Sequence, residues 1–151
     1  MSTLEQAITI AAAAHKGALD KGGAPYILHP LRVMAAVNTL DEKIVAVLHD
    51  VVEDSKDWTF DKLLAEGFSS QVVDALRCVT KTSKDEDYEA FIERALGNAI
   101  ATQVKLADLR DNSDLSRLPQ LNQDDLQRLA KYHRAIRRIQ AALAQGQHRS
   151  P

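Results

Sequence analysis

Apolar residues recur along this chain at the three- and four-residue spacing of amphipathic helices, and no segment shows the clear alternation of a strand. The stripes predict helices over residues 3–16, 30–40, 41–54, 59–67, 70–79, 88–97, 100–111 and 124–144. Glycines and prolines interrupt the pattern between residues 17 and 30, which predicts a loop there. The pattern therefore predicts an all-α fold, a helical bundle of about seven or eight helices.

One stretch of the predicted helix over 41–54 carries charged groups beside an apolar run. His49, Asp50, Glu53 and Asp54 directly follow residues 44–48, which are all apolar. In a continuous helix, His49 shares a face with Glu53 and Asp50 with Asp54. Burying such groups without partners costs about 2–7 kcal/mol for a neutral polar group and more for a charge. A bound divalent metal would compensate them, and we favour this interpretation over a frayed helix end whose charges face water.

A second polar cluster lies towards the end of the predicted helix over 100–111. Lys105 precedes Asp108 by three residues and Asn112 follows it by four, so the three side chains can share a face. Alone, this pattern is typical of a solvated, salt-bridged surface. His29, directly before Pro30 at a predicted helix entrance, is a further candidate because it could partner His49.

These residues form a discontinuous His…His-Asp…Asp pattern that resembles the HD-domain metal-dependent phosphohydrolases. The surrounding segments resemble the hydrolase domain of the RelA/SpoT family, and most of all its small stand-alone members. The segments are AHKG (14–17), PYILHP (25–30), LHDVVED (48–54), VTK (79–81) and VKLAD (104–108) with Asn112. They cover nearly the whole chain, so residues 1–151 are expected to be a single HD-type phosphohydrolase domain with a frayed C-terminus from about residue 145.

The resemblance implies a role for each of these residues. One divalent ion, usually Mn²⁺, would be bound by His29, His49, Asp50 and Asp108. Glu53 and Asp54 would position and deprotonate the attacking water. The expected substrate-binding residues are Lys21, Tyr26, Lys105 and Asn112. The family reaction removes the 3′-pyrophosphate from guanosine tetra- or pentaphosphate, (p)ppGpp, and a chain of this length has no room for the family's synthetase and regulatory domains.

The donor types support the same chemistry independently of the resemblance. Two imidazoles and two carboxylates suit Mn, Fe, Co or Zn. A cation bound there lowers the pKa of its water and neutralises charge on a phosphoryl oxygen. A carboxylate that is not a ligand can then act as the general base.

One position departs from the family pattern. The family loop usually reads Arg-Lys where this chain has Asp20-Lys21, and that arginine helps hold the nucleotide by stacking on its base. Asp20 cannot stack as a cation and is expected to repel phosphate, so we expect weaker guanine recognition than in typical members. Leu109 also replaces a residue that is commonly basic. Two alternatives therefore stay open: a phosphatase for another phosphorylated metabolite, such as a nucleoside phosphate or NADPH, and a non-catalytic, metal-stabilised nucleotide-binding regulator.

Composition narrows the class of protein. The chain has 151 residues, a net charge of −2 and interspersed charges, which argues against a nucleic-acid partner. The single cysteine, Cys78, cannot form an internal disulfide and suits a reducing compartment. The apolar segment near the N-terminus lacks a basic lead and no run reaches membrane-spanning length. We expect a cytoplasmic protein with no membrane partner.

Three local features are assigned their commonest roles. His15, at the end of the first predicted helix, is expected to pair with the helix dipole. Asp41 is expected to cap the start of the central helix. The basic face of the last helix is expected to be solvated; it consists of Arg128, Lys131, Arg134, Arg137 and Arg138.

Overall fold

The structure, a computed structural model, describes residues 2–149 and is built from α-helices. Nine helical segments occur in this range, α1 Leu4–Ala14, α2 Leu28–Ala35, α3 Leu40–Leu48, α4 Val51–Asp54, α5 Phe60–Ala65, α6 Ser70–Val79, α7 Tyr88–Leu96, α8 Ala99–Asn112 and α9 Gln123–Arg149. A single 3₁₀ turn, Leu115–Arg117, lies between α8 and α9. Within the described residues, the only β-type pairing is one antiparallel bridge between Leu19 and Pro25. The predicted all-α class is confirmed.

Side-chain caps explain where most helices begin. Thr3, Thr59, Ser69, Asp87 and Asn98 each accept a hydrogen bond from a backbone N–H in the first turn of the helix that follows. Such a cap satisfies one of the N–H groups that a helix leaves without an internal partner. These helices start within two residues of the predicted positions.

The central helix begins at a different cap from the predicted one. Asp41 is not the N-cap: Thr39 accepts from the Glu42 N–H, and the Glu42 carboxylate accepts from the Thr39 N–H. This reciprocal capping box satisfies two N–H groups at once. A Thr followed by Glu three positions later is therefore the better sequence signal for the start of this helix, and Asp41 lies in its first turn.

The predicted helix over 41–54 is divided, which explains why nine segments replace the predicted seven or eight. After Leu48 the His49 N–H turns back to the Ala46 carbonyl, a tighter bond than the helical i to i−4 pattern. Asp50 has φ −104° and ψ −2°, outside the helical range, and α4 then adds only one turn. The prediction that His49 and Glu53 share the face of one continuous helix is wrong. Because of this break, His49 and Asp50 do not continue the helical face on which the apolar side chains of α3 lie.

Helix α3 forms the middle of the molecule. It packs against α1, α2, α6 and α8. Its residues 44–48 are all buried, at 0–4% exposure, in one core that draws on these helices. A second, smaller core joins α7, α8 and α9 around Ile92, Leu109 and Ile139. Helix α8 contributes to both cores, so the polar residues at its C-terminal end lie next to those that follow α3.

Two further boundaries differ from expectation. Helix α2 begins at Leu28, so His29 and Pro30 lie in its first turn and Pro30 is not its first residue. Helix α9 continues past Ala144 to Arg149, although Gly146 lowers helix propensity. The last two residues of the segment that is expected to fray, Ser150 and Pro151, lie outside the described residues. No helix in the described part of the chain has both the length and the apolar character needed to cross a membrane.

Candidate metal centre and adjoining cavity

Residues from three separate places in the sequence meet at one point. His29 comes from the first turn of α2, while His49 and Asp50 occupy the break between α3 and α4. Each of the three offers a potential ligand atom, and these atoms all lie within 4.8 Å of one another. Both imidazoles are buried, at 5% and 3% exposure. Two nitrogens and an oxygen thus converge in a shielded position suited to a divalent transition metal.

Asp108, on α8, completes this group. Its Oδ1 lies 3.0 Å from His29 Nε2 and 3.3 Å from His49 Nε2. The Asp50 carboxylate lies opposite, with Oδ2 3.1 Å from His49 Nε2 and 3.9 Å from His29 Nε2. The structure therefore brings together all four residues that the sequence predicts as metal ligands.

Each imidazole is oriented by its other ring nitrogen. His49 Nδ1 lies 2.6 Å from the Ala46 carbonyl oxygen, and His29 Nδ1 lies 2.6 Å from Asp111 Oδ2. A carbonyl can only accept, so His49 Nδ1 carries a proton, and Nε2 is the ring nitrogen that faces the two carboxylates. This is the arrangement by which metal-binding histidines are held.

Two observations show that the site suits a cation. His49 Nε2 is buried and has no partner in hydrogen-bonding geometry, although two carboxylate oxygens lie near it. Burial alone would lower the pKa of His49, yet Asp50 and Asp108 raise it well above its usual value. Positive charge is therefore stabilised at the point where the ligand atoms converge.

Asp111 is a site residue that was not predicted. It bonds His29 Nδ1 on one side and, on the other, receives two hydrogen bonds from Arg32, at 2.7 and 3.1 Å. The Arg32 and His29 bonds lower the pKa of Asp111 against the effect of burial. Its position one helical turn after Asp108 places Asp111 near the site, but no signal in the sequence pairs it with His29 and Arg32.

Three of the four predicted substrate-binding residues contact the predicted metal ligands instead of standing free. The Tyr26 hydroxyl donates to Asp50. Lys105 Nζ donates to Asp108 Oδ2 at 3.0 Å, and Asn112 Nδ2 donates to Asp108 Oδ1 at 3.1 Å. Lys105 and Asn112 thus do share a face with Asp108, as the spacing predicts. The fourth residue, Lys21, is exposed at the rim of the adjoining cavity.

The two predicted catalytic carboxylates lie on α4, at the exposed side of the centre. Burial, then the charges of Asp50 and Glu53, raise the pKa of Asp54 to about 6. Glu53 Oε1 accepts a long hydrogen bond, 3.4 Å, from the backbone N–H of Lys81. A carboxylate with a pKa near neutrality can accept a proton at physiological pH, which is the property needed of a general base.

The loop that supplies the Lys81 N–H is fixed by Arg94 of α7. The Arg94 guanidinium donates to the Glu86 carboxylate at 2.8 Å and to the Thr80 carbonyl at 2.9 Å. Glu86 in turn accepts from the Thr82 N–H at 2.9 Å. The connection between α6 and α7 is therefore anchored at both ends.

A cavity of about 380 Å³ opens beside the centre. Tyr26, His29 and Asn112 form its inner wall, and the loop 19–22, the 3₁₀ turn and α9 form the remainder. Its arginines are paired: Arg32 with Asp111, Arg117 with Asp114 and Arg128 with Asp125. The wall thus combines polar groups with the aromatic ring of Tyr132, as small-molecule sites do.

One local prediction is wrong, and another holds for only part of its residues. His15 is buried at 3% exposure beside Tyr26, and burial lowers its pKa, so it is neutral and cannot serve as a cationic dipole partner. The basic face of α9 is solvated only in part, at the exposed Arg134 and Arg137. Lys131 Nζ lies 4.5 Å from the centroid of the Tyr88 ring, and Arg128 lines the cavity.

Comparison with known proteins gives relatives of one family, although no family model matches the chain. A guanosine-3′,5′-bis(diphosphate) 3′-pyrophosphohydrolase of Haemophilus influenzae is 31% identical over 81% of this chain and 20% of its own length. The bifunctional (p)ppGpp synthase/hydrolase SpoT of Escherichia coli is 30% identical over 85% of this chain and 20% of its own. A GTP pyrophosphokinase of Myxococcus xanthus is 28% identical over 87% of this chain and 19% of its own length.

These relatives are proteins of the RelA/SpoT family. The similarity extends over most of this sequence, whereas the chain spans about a fifth of the length of these curated relatives. Relatives named as hydrolases and relatives named as synthetases both match this chain.

The position that departs from the RelA/SpoT pattern has a structural role of its own. Asp20 Oδ1 accepts hydrogen bonds from the Gly22 and Ala24 N–H groups, both at 2.9 Å. A Cβ on Gly22 would approach the Arg117 carbonyl oxygen to 2.7 Å, so this tight turn packs directly on the 3₁₀ turn. Asp20 therefore shapes the loop that lines the cavity, which the sequence did not predict.

Proposed function

We propose that this chain is a metal-dependent hydrolase domain that removes the 3′-pyrophosphate from (p)ppGpp or a closely related nucleotide. The observation that carries the proposal is the convergence of His29, His49, Asp50 and Asp108, with the buried His49 Nε2 lacking a hydrogen-bond partner. The names of the pyrophosphohydrolase relatives support the substrate class.

The four residues would hold one divalent ion, with Mn²⁺ as our expectation. When bound, it lowers the pKa of water and neutralises charge developing on a phosphoryl oxygen. Asp111 and the Ala46 carbonyl keep the two imidazoles in the required tautomer and orientation. Tyr26, Lys105 and Asn112 hold the two carboxylates in place by direct hydrogen bonds.

Glu53 and Asp54 would together orient and deprotonate the attacking water. One of them takes a proton as the water oxygen attacks the phosphorus next to the ribose 3′ oxygen. The bond from that phosphorus to the 3′ oxygen breaks, pyrophosphate leaves with the water oxygen, and the 3′ oxygen takes up a proton. The pKa of about 6 favours Asp54 as the acceptor, while Glu53, held at the Lys81 N–H, is placed to orient the water.

The cavity beside the centre would hold the nucleoside. Tyr26, His29 and Asn112 place its inner wall next to the four predicted ligands, so a nucleoside in it would present its phosphates to the centre. Lys21 and Tyr132 also line this cavity, and the base and ribose would contact them.

A second candidate is a phosphatase for another phosphorylated metabolite. It is favoured by the cavity wall, where Asp20 replaces the family's stacking arginine and the arginines already pair with carboxylates. Such a wall offers no free guanidinium for guanine.

One experiment separates these candidates. The protein is incubated with Mn²⁺ and ppGpp, its adenine counterpart, nucleoside monophosphates or NADPH, and both phosphate and pyrophosphate release are measured, with a chelator control. We expect pyrophosphate from ppGpp. Phosphate alone, from a different substrate, would establish the second candidate, and no release from any compound would indicate a non-catalytic nucleotide-binding protein.

A further inference from the structure

The loop that joins α6 to α7 has little means of its own to keep a fixed shape. Residues 80–87 include no apolar residue, and all of them except Thr80 and Glu86 are exposed. Such a segment opens easily, because hydrophobic burial contributes almost nothing to its stability. One of its backbone groups, the Lys81 N–H, nevertheless donates to Glu53, a predicted catalytic carboxylate. The position of Glu53 therefore depends in part on what fixes this loop.

Arg94 of α7 supplies the contacts that the loop lacks. Its Nη2 donates to the Glu86 carboxylate, at 2.8 and 3.0 Å, and to the Thr80 carbonyl oxygen at 2.9 Å. Its Nη1 donates to the carbonyl oxygen of Arg77, in the last turn of α6. A guanidinium presents several donors in one plane, so this single side chain can bond both ends of the loop. Lys81 lies between the two anchored points.

The guanidinium of Arg94 is itself supported by the core. Its Cζ lies 5.3 Å from the centroid of the Phe91 ring, a residue buried at 3% exposure. The Lys105 ammonium, which donates to the predicted metal ligand Asp108, lies 4.6 Å from the same centroid. Contact with an aromatic ring holds a cation in place without neutralising its charge. Phe91 therefore supports both the arginine that fixes the loop beside Glu53 and the lysine that bonds Asp108.

We propose that Arg94 is a positioning residue for hydrolysis. By fixing the loop 80–87 it keeps the Lys81 N–H at Glu53 and so holds that carboxylate where it orients the attacking water. This rests on the proposed function and adds to it a residue remote from the cavity. Within the described residues, the hydrogen bonds of Arg94 go to this loop and to α6 alone, and Arg94 does not line the cavity. Its loss should therefore change kcat and leave substrate and metal binding nearly unchanged.

The first test asks whether Arg94 acts through Glu53. The kcat and KM for ppGpp and the bound Mn²⁺ are measured in wild type, Arg94→Gln, Glu53→Ala and the double variant. We expect Arg94→Gln to lower kcat about 10–100-fold, as for a misplaced group, with KM changed less than about twofold and metal content unchanged. In the Glu53→Ala background the same substitution should change kcat less than about twofold, because the carboxylate that it positions is already absent. Equal losses in the two backgrounds, or no loss in the first, would overturn the proposal.

A matched control separates this role from general support of α7. Arg138 pairs with Glu89 and Glu93 of the same helix, so Arg138→Gln also removes contacts between a guanidinium and carboxylates there. We expect kcat within about twofold of wild type in Arg138→Gln, because exposed pairs contribute little. Arg94→Lys should be intermediate, since its ammonium keeps the charge but cannot bond both ends of the loop. A loss in Arg138→Gln as large as in Arg94→Gln would reject a specific role for Arg94.

A measurement without turnover tests the same contact. The exchange rate of the Lys81 amide proton is measured by NMR in wild type, Arg94→Gln, Glu53→Ala and the double variant, with Mg²⁺ in place of the paramagnetic Mn²⁺. We expect each single variant to raise the rate about tenfold and the double variant to raise it no further, since both remove the same hydrogen bond. If wild type hydrolyses no nucleotide, the proposed function fails, while this measurement still decides whether Arg94 holds the Lys81 N–H at Glu53. A rate unchanged in Arg94→Gln would reject the proposal.

Discussion

The centre formed by His29, His49, Asp50 and Asp108 contrasts with the loop 17–26 that borders it. In the loop, Asp20 satisfies its carboxylate with two N–H groups of its own turn, and nothing further is required. In the centre, His49 Nε2 is buried without a hydrogen-bond partner between two carboxylates. A buried polar atom in that condition costs free energy unless a ligand compensates it. The loop thus gives the cavity its shape, while the centre has the burial and the donor groups that suit a cation.

The substitution His49→Ala is expected to have the largest effect that follows from this contrast. Removing one imidazole should lower the affinity for Mn²⁺ by at least about 100-fold and abolish activity, because even an outer-shell change costs 10–100-fold. Metal content after gel filtration, measured by elemental analysis, checks this. His133→Ala, on the exposed side of α9, is the control. Equal metal content in His49→Ala and wild type would remove His49 from the ligand set.

Glu53→Gln and Asp54→Asn should keep the metal but lose turnover. A general base contributes about 10²–10⁴-fold, so the variant that lacks it should lose kcat by that factor. We expect the greater loss in Asp54→Asn, because its pKa of about 6 suits proton transfer near neutrality. A greater loss in Glu53→Gln would assign the base to Glu53. If either variant loses its metal, that carboxylate is a ligand.

Asp111→Asn tests how far the centre depends on its supporting groups. The amide oxygen can still accept from His29 Nδ1, but the negative charge that strengthens this bond is lost. We expect metal affinity to fall about 10–100-fold. Asp114→Asn is a matched control on the same side of the cavity, because Asp114 is exposed and its side chain bonds to Arg117 and Ser116 instead of to a predicted metal ligand. Metal affinities that fall alike in both variants would contradict a specific role for Asp111.

The same contrast explains what the sequence could predict. The four predicted ligands are assigned from the resemblance to the HD-domain pattern, because the residues around Asp108 alone are typical of a solvated surface. Helix caps such as Thr3 and Ser69, by contrast, are local signals that the sequence carries by itself. The break after Leu48 could not be predicted from the sequence, since it depends on how His49 and Asp50 leave the helical packing of α3. The role of Asp111 could not be predicted either, because its partners His29 and Arg32 lie about 80 residues away in the sequence.

The ionisation of Asp54 should be visible in the stability of the metal-free protein. Its pKa is raised from 3.8 to about 6, so the native state binds more protons than the unfolded state between these pH values. Stability therefore falls as pH rises through this window, and ionised Asp54 is destabilising above about pH 6. Asp54→Asn should be more stable at pH 7 by about 1 kcal/mol, allowing for solvent screening of an exposed group.

Denaturant unfolding of both proteins in the presence of a chelator, at pH 4 and pH 7, measures this difference. The gain from Asp54→Asn should be present at pH 7 and absent at pH 4, where the wild-type carboxyl is protonated. A gain of the same size at both pH values would show that it does not arise from the charge.

The smallest effect expected is at Asp20, where the charge and the hydrogen bonds can be separated. Asp20→Asn keeps an oxygen for the Gly22 and Ala24 N–H groups and removes the charge from the cavity wall. Its thermal stability should match wild type, and KM for ppGpp should fall by up to about fivefold, since screened repulsion is worth about 1 kcal/mol. Asp20→Ala removes the same charge but leaves two N–H groups without their acceptor, so we expect it to lose about 1–2 kcal/mol of stability. If Asp20→Asn destabilises the protein as much as Asp20→Ala, the charge itself holds the turn. If Asp20→Arg, which also breaks the turn, nevertheless lowers KM more than Asp20→Asn does, the loop tolerates rearrangement, and a stacking cation matters more for this cavity than the shape that Asp20 gives it.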